Sequence, residues 1–358
     1  MPRLRSDGFI TGFLPTGALN AMTDVPGVLV GQVTLVSGEG RLQPGAGPIR
    51  TGVTAILPHG GNLFRDKVAA SVHTINGYGK ALGFEQVRER GVIETPILLT
   101  NTLSVWRVAD NLVSYMLDDN PDIGITTSTI NPVVGECNDG FLNDIQGRHI
   151  TAAHIRQAIE TASAGTVAEG NTGAGTGTAC YQFKGGIGTA SRRALDFIVG
   201  ALVQTNFGGR RELRVLGVPV GQALIADLLP EPGPGSVMVV LATDAPLDAR
   251  QLGRLARRAG LGLARTGTVG HDGSGDFVIA FSTASYHPHD PAQVVTTAPR
   301  FNETGMAINT LFAAVVEAVE ESVLNALTAA ETMTGRDGNT LHALPYDRLT
   351  ALLRRYGG

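Results

Sequence analysis

The strongest constraint on the fold is the alternation, along the whole chain, of short apolar runs with longer stretches of helical periodicity. Apolar, β-branched runs bounded by Gly or Pro are typical of buried strands, and a recurrence of apolar residues every three or four positions is typical of helices. We predict strands in residues 27–36, 51–58, 67–75, 95–101, 186–192, 236–243 and 276–284, and helices in 103–119, 151–163, 248–260, about 303–333 and about 345–355. Strands and long helices mixed in this way favour an α/β or α+β domain in which helices cover sheets.

Composition indicates a compact globular protein. Of its 358 residues 43% are hydrophobic and 17% charged, and no linker or low-complexity tract divides them, so we predict one domain, 1–358. A net charge of −4 argues against a nucleic-acid partner. The two cysteines, Cys137 and Cys180, form no CxxC pair, and we expect no metal and no organic cofactor.

The same sequence argues against a membrane partner. No apolar run approaches the ~20 residues of a membrane span, and Gly and Pro break the apolar stretch near the amino terminus, so no leader peptide is predicted. We expect a cytoplasmic protein, with a periplasmic location left open.

The segment Gly-Pro-Gly-Ser, residues 233–236, places a hydroxyl at the first position of a predicted buried strand. Such a segment is ordinarily a turn, and that interpretation stays open. A second interpretation is that the Gly235–Ser236 bond is cut. Cleavage would free the α-amine of Ser236, whose ordinary pKa of about 7.7–8.0 suits a base that activates the serine hydroxyl. Gly235, without a Cβ, lets that hydroxyl approach its carbonyl.

Two further stretches carry groups that a serine nucleophile needs. Ser274 and Asp276 lie in a Gly-rich bend just before a predicted strand, where a hydroxyl and a carboxylate can orient an amine or a serine; the alternative is a turn with a capping Asp. Asn206 follows an apolar run that we interpret as helical and precedes Gly208 and Gly209. Its amide is a usable oxyanion donor, although Asn is also a common helix cap.

Residues 131–147 form a loop-like segment rich in acidic and amide side chains: Glu136, Asn138, Asp139, Asn143 and Asp144. The cluster could bind calcium or the cationic end of a substrate, but it lacks the pattern of an EF-hand loop. Glu136 follows an apolar run, so we expect it to be partly buried, where a carboxylate favours a cation. The Gly-rich stretch 171–192 departs from the phosphate-loop pattern, and Lys184 falls in a predicted hairpin, so close backbone packing is the favoured interpretation.

Taken together, six stretches resemble the L-aminopeptidase/D-esterase family, which includes the β-peptidyl aminopeptidases. They occur in the family's order across nearly the whole chain: TDVPGVLVGQVTL, NPVVGECNDGFLNDI, FKGGIGTASR, LVQTNFG, PGSVMVVLATDAPL and GSGDFVIAFSTA. The resemblance implies a four-layer α/β/β/α sandwich like that of N-terminal-nucleophile hydrolases, with the connectivity shared by ornithine acetyltransferases. It also implies autoproteolysis into an α chain, 1–235, and a β chain, 236–358, that stay in one folded unit.

The resemblance also assigns roles to residues. By similarity the nucleophile is Ser236, Ser274 and Asp276 position it and its amine, and Asn206 holds the oxyanion. Some relatives carry Glu where this chain has Asp276, which is shorter by one methylene. Some aminopeptidase members carry a Tyr at what corresponds to Asn138, so the chain is closer to the β-peptidyl branch, in which the residue matching Glu136 holds the substrate's amino group.

The function implied is a serine aminopeptidase that releases N-terminal α- or β-amino acids from short peptides, amides or esters through an acyl-enzyme. Family members assemble as oligomers, so we expect a homo-oligomer, a tetramer of the processed unit. Two alternatives stay open: an acyltransferase on the same fold, against which the serine nucleophile counts, and a non-processing member that acts as a binding or scaffold protein. Trp106, the sole tryptophan, could line the substrate side-chain pocket, but we expect it to lie in the core.

Overall fold

The computed structural model describes residues 3–225 and 235–357. These ranges contain the strands β1 (Leu29–Ser37), β2 (Ile49–Leu57), β3 (Asp66–Gly77), β4 (Ala81–Leu82), β5 (Val92–Ile93), β6 (Ile97–Asn101), β7 (Val133–Cys137), β8 (Ala179–Cys180), β9 (Phe183–Lys184), β10 (Ile187–Ala194), β11 (Phe197–Asn206), β12 (Ser236–Thr243), β13 (Gly275–Pro288), β14 (Met333–Thr334) and β15 (Thr340–Leu341). The helices are α1 (Phe84–Arg90), α2 (Val105–Asp119), α3 (Ala152–Glu160), α4 (Val220–Ala223), α5 (Ala249–Arg265), α6 (Ala307–Thr328) and α7 (Tyr346–Gly357).

Two mixed sheets stack face to face. The larger sheet has the strand order β10-β11-β12-β13-β3-β5, and the smaller has the order β1-β2-β6-β7-β4. Helices α5 and α6 cover the outer face of the larger sheet, and α2 and α3 cover the outer face of the smaller one. The resulting four layers confirm the α/β/β/α sandwich that the family resemblance implies.

Each pair of neighbouring layers encloses its own apolar core. The core between the two sheets is built from inward-facing residues of both, among them Met238, Ile279 and Leu99. A second core fills the space between the larger sheet and α5 and α6, and a third lies between the smaller sheet and α2 and α3. β12 lies in the interior of the molecule and is buried along its whole length, with apolar residues on both faces between Ser236 and Thr243.

The long helix α6 is buried on nearly all sides and carries three buried carboxylates. Arg192 of β10 is fully buried between two of them: its Nε lies 2.9 Å from Glu317 Oε2 and its Nη2 lies 2.5 Å from Glu321 Oε2. Arg5, near the amino terminus, also donates to Glu321. These pairs satisfy charges that would otherwise be costly to bury.

Two sequence predictions need correction here. The run before Asn206 is a strand, β11, and not a helix: it pairs antiparallel with both β10 and β12. Hydrophobic periodicity does not separate the two structures here, because a strand buried on both faces is apolar at nearly every position, as a buried helix is. The segment 131–147 is a loop only in part, since its first half forms β7, which pairs in parallel with β6. By contrast, the hairpin predicted around Lys184 is confirmed by the pairing of β8 with β9.

Candidate active site

Ser236 is the first residue of β12, an inner strand of the larger sheet. Strand register places it directly opposite Asn206 of β11 on one side and Gly275 of β13 on the other. The residue is only 5% exposed, and its Oγ has no hydrogen-bond partner within residues 3–225 and 235–357. A buried hydroxyl left unpaired costs free energy, so this serine is poorly explained as a turn residue.

Gly235 lies where no side chain fits. A Cβ built on it would lie 1.4 Å from the main-chain oxygen of Asn206 and 2.9 Å from the Cα of Phe207. The carbonyl oxygen of Gly235 accepts a hydrogen bond of 3.3 Å from the N–H of Gly275. The peptide bond before Ser236 is thus pressed against β11 and polarised by β13.

Ser274 and Asp276 are brought together beside that bond. The Ser274 hydroxyl donates to Asp276 Oδ1 at 2.5 Å, and both side chains are buried. Burial raises the pKa of Asp276, while hydrogen bonds from Ser274 and from the backbone of Val237 act in the opposite direction. Val237 follows Ser236 directly in the chain. The Asp276 carboxylate therefore contacts the main chain of the residue next to the candidate nucleophile.

Asn206 is held in one orientation by the main chain. Its Oδ1 accepts a hydrogen bond of 3.0 Å from the N–H of Ala179, which fixes the oxygen end of the amide because an N–H can pair only with an acceptor. The two N–H donors of Nδ2 are then at the opposite end of the side chain. This is the end that an oxyanion would need.

Glu136 lies on the facing sheet, one residue before the end of β7. Its Oε1 accepts from the N–H of Lys80 at 3.0 Å, and its Oε2 accepts from the hydroxyl of Thr102. Burial raises the pKa of this carboxyl group, with both hydrogen bonds opposing the rise. A partly desolvated carboxylate of this kind gains most from an added cation, such as a substrate ammonium.

The turn at Gly79 joins Glu136 to the serine side of the site. A Cβ built on Gly79 would lie 3.3 Å from Glu136 Oε1 and 3.0 Å from the Cα of Gly275. Glu136 and Gly275 therefore both lie against the Cβ position of this residue. The structure thus brings Ser236, Ser274, Asp276, Asn206 and Glu136 together around the start of β12.

Other predicted residues fall outside this cluster or have local partners. Asn138 is exposed, and its Oδ1 accepts from the N–H of Gly140. Asp139, Asn143 and Asp144 are buried and hydrogen-bonded: Asp139 pairs with Asn143, which in turn receives the N–H of Arg50. The prediction that Trp106 lies in the core is wrong, since it is 57% exposed in the first turn of α2.

Several residues that support the site are not predicted by the sequence patterns. Thr102 and Glu136 meet because β6 and β7 run in parallel, with Thr100 in register with Glu136. The available signal was a polar residue, Thr102, directly after the predicted strand 95–101, and an acidic residue, Glu136, directly after an apolar run. Asn76 was also missed; its amide donates to the carbonyls of His271, Asp272 and Ser274 and so holds the bend that carries Ser274.

Cys137 lies underneath Ser236, the candidate nucleophile. Its thiol donates to the main-chain oxygens of Gln204, at 3.3 Å, and of Ser236, at 3.4 Å. Complete burial raises the pKa of the thiol well above its ordinary value. It is therefore a neutral, packed side chain beneath the strand and not a second nucleophile.

Over the described ranges, no group of three or more His, Cys, Asp or Glu side chains could hold a metal ion. None of the helices in the same parts of the chain is both long and apolar enough to cross a bilayer.

The chain is similar to known peptidases over nearly its whole length. The family model of peptidase family S58 matches residues 20–341. The β-peptidyl aminopeptidase BapA of Sphingosinicella microcystinivorans is 44% identical over 374 residues, which cover 99% of this chain and 92% of that protein.

Solved structures agree over the whole length. The PH0078 protein of Pyrococcus horikoshii OT3 is 48% identical with a TM-score of 0.95, and the match covers 100% of both chains. The L-aminopeptidase D-Ala-esterase/amidase of Ochrobactrum anthropi is 42% identical with a TM-score of 0.92, covering 100% of this chain and 99% of that one. That enzyme is described as a new variant of the Ntn-hydrolase fold.

Proposed function

The chain belongs to peptidase family S58 and is an aminopeptidase, and on this premise we propose that it is a self-processing serine hydrolase with Ser236 as its nucleophile. The observation that carries the proposal is the register of β12. It places Ser236 between Asn206 and Gly275 and puts Asp276 opposite the next residue, Val237. Nucleophile, oxyanion donor and orienting carboxylate thus come from three adjacent strands.

Self-cleavage at the Gly235–Ser236 bond comes first in this proposal. Ser236 Oγ attacks the Gly235 carbonyl carbon, and the N–H of Gly275, already bonded to that carbonyl oxygen, stabilises the developing charge. The C–N bond breaks as the hydroxyl proton passes to the nitrogen of Ser236, which leaves an ester. Water then hydrolyses the ester to a Gly235 carboxylate and a free Ser236 hydroxyl and α-amine.

The freed α-amine is the proton carrier of the proposed peptidase reaction. It accepts the proton of Ser236 Oγ as the hydroxyl attacks the first carbonyl of the substrate, and it then donates that proton to the leaving group. Asp276, hydrogen-bonded to Ser274, orients and stabilises the amine when it is charged. Nδ2 of Asn206 stabilises the oxyanion, and water releases the acyl group from Ser236.

We propose short peptides, amides or esters that carry a free N-terminal amino group as substrates. Glu136 supports this proposal, because its buried carboxylate is available to bind an ammonium group on the facing side of the site. The 44% identical relative is a β-peptidyl aminopeptidase, so we propose that N-terminal β-amino acids are accepted. Initial rates on the p-nitroanilides of β-alanine and of L-alanine would test this preference.

The intact mass of the purified protein beside that of a Ser236→Ala variant tests the core of the proposal. We expect the wild type to consist of two chains that separate after Gly235, and the variant to remain one chain without activity. An uncut wild type that hydrolyses amino-acid amides would contradict the proposed nucleophile. An uncut wild type without activity would contradict the self-processing mechanism altogether.

Three further expectations stay predictions. Product analysis with an added amine acceptor distinguishes hydrolysis from acyl transfer, and we expect the free acid to dominate. Sedimentation of the processed protein tests the expected tetramer. Fractionation of the native cells tests the expected cytoplasmic location.

A further inference from the structure

Lys184 is a fully buried lysine close to the proposed oxyanion donor. It ends the hairpin formed by β8 and β9, and its exposed fraction is 0%. Burial lowers the pKa of its amine to about 7, with Cys180 and Asp139 acting in the opposite direction. A cationic side chain in such a place is costly unless each of its donors is paired.

Main-chain oxygens supply those partners. Lys184 Nζ donates to the carbonyls of Gly175 at 3.1 Å, Thr178 at 2.8 Å and Gly185 at 2.6 Å. An ammonium group has three N–H donors and no acceptor. Three carbonyls therefore match its hydrogen-bonding capacity in full, and the side chain ties the 175–178 loop to the hairpin.

One of these carbonyls belongs to the peptide group that orients Asn206. Thr178 and Ala179 share a peptide bond, whose carbonyl accepts from Lys184 and whose N–H donates to Asn206 Oδ1 at 3.0 Å. Hydrogen bonds in such a chain polarise one another and strengthen together. Lys184, the 178–179 peptide and Asn206 thus form a continuous chain that ends at the amide of Asn206.

We infer that Lys184 is a positioning residue for the aminopeptidase reaction, acting through the Thr178–Ala179 peptide to hold the Asn206 amide with its Nδ2 toward the reacting carbonyl. The inference rests on the proposed function, because it assigns Lys184 to the oxyanion donor of that mechanism. Lys184 itself does not touch the substrate. Its effect is expected on kcat, since an oxyanion forms only in the transition state.

The test compares Lys184→Met, Asn206→Ala and the double variant with the wild type, all as full-length chains. Activity is expressed per processed chain, as counted by intact mass, so that a loss of folded or cut protein does not count as a loss of kcat. We expect Lys184→Met to lower kcat about 10- to 100-fold with KM within twofold of wild type. In the Asn206→Ala background the same change should alter kcat less than twofold, because residues acting through one contact are not additive.

Thr205→Val is the matched control. Thr205 Oγ1 accepts from the N–H of Gly186 at 3.0 Å and donates to the Gly186 carbonyl at 3.2 Å. This change therefore removes two buried hydrogen bonds from the neighbouring loop without touching the 178–179 peptide. We expect its kcat to stay within twofold of wild type. If Lys184→Met does not fold, Lys184→Gln retains two of the three donors and enters the same comparison, with a smaller loss of kcat expected.

Several results would overturn the inference. One is a folded, processed Lys184 variant with wild-type kcat, and another is a loss that multiplies with that of Asn206→Ala. A folded Lys184→Met chain that no longer cuts itself would also overturn it, because the Gly235 carbonyl is held by Gly275 and not by Asn206. Failure of the wild type to cut itself or to hydrolyse substrate would instead refute the proposed function.

Discussion

Replacing Gly235 by Ala should slow self-cleavage strongly while leaving the fold intact. A Cβ at this position would lie 1.4 Å from the main-chain oxygen of Asn206, whereas ordinary contact begins near 3.4 Å. The main chain at residue 235 must therefore move by about 2 Å relative to β11. The same movement displaces the Gly235 carbonyl from the N–H of Gly275 and from the attacking hydroxyl of Ser236.

The size of the effect follows from this displacement. Overpacking costs about 1–3 kcal/mol of stability, and a misplacement of about 1 Å at a reacting centre can lower a rate about 10²-fold. Because 1.36 kcal/mol corresponds to a factor of ten in rate, 2–3 kcal/mol on the barrier gives about a 30- to 160-fold slower cleavage. We expect the half-time of processing to lengthen by that factor.

The assay follows freshly synthesised chain by intact mass over time and measures the melting temperature of the uncut protein. Gly165→Ala is the matched control, since the nearest atom to a Cβ at that position is Ser163 Oγ at 3.7 Å. We expect it to process like the wild type. Wild-type cleavage and stability in Gly235→Ala would refute the placement of Gly235 against Asn206.

Two other substitutions test charges in and near the site. Glu136→Gln retains a side-chain oxygen that can accept the N–H of Lys80, but it removes the negative charge. KM for substrates with a free amino group should therefore rise about 10- to 100-fold. An unchanged KM would exclude Glu136 as the ammonium site. Asp139 is fully buried, and burial raises its pKa from 3.8 to about 7. The native state therefore retains a proton that the unfolded chain releases, so this group makes stability fall as pH rises from about 4 to 7, by up to about 4 kcal/mol. Asp139→Asn should flatten that fall in melting temperatures measured from pH 5 to 8, and parallel profiles for the two proteins would contradict the assignment.

The sequence predicts which segments form strands better than it predicts how those strands pair with one another. Apolar runs bounded by Gly and Pro located β1, β2, β3, β6, β12 and β13, because burial of a strand is visible in its own residues. Register is a property of two strands at once. That Asn206 faces Ser236 follows only from the pairing of β11 with β12, and β11 itself was interpreted as helical.

The supporting contacts were hidden for the same reason. Thr102 and Glu136 are 34 positions apart and meet through parallel strands. Ala179 of β8 and Asn206 at the end of β11 are 27 positions apart and meet only in the folded chain. The exposure of Trp106 was not predictable either, because a tryptophan near the amino terminus of a helix can face either the core or solvent. In contrast, the quoted motifs predict Ser236, Ser274 and Asp276 at or just before the start of a strand, and the structure has Ser236 first in β12, Ser274 just before β13 and Asp276 second in β13.

The position of β12 has a consequence for the durability of the processed protein. Cleavage after Gly235 would leave β12 between β11 of one piece and β13 of the other, and β13 itself pairs with β3 of the first piece. The pairs of Arg192 with Glu317 and Glu321 cross between the same two pieces. The intact chain would be needed only for the first folding, when the sheet assembles. After cleavage, renaturation of the separated pieces would be bimolecular and would depend on protein concentration. The lifetime of the mature protein would be governed by the rate at which this shared sheet opens, and not by a reversible folding equilibrium.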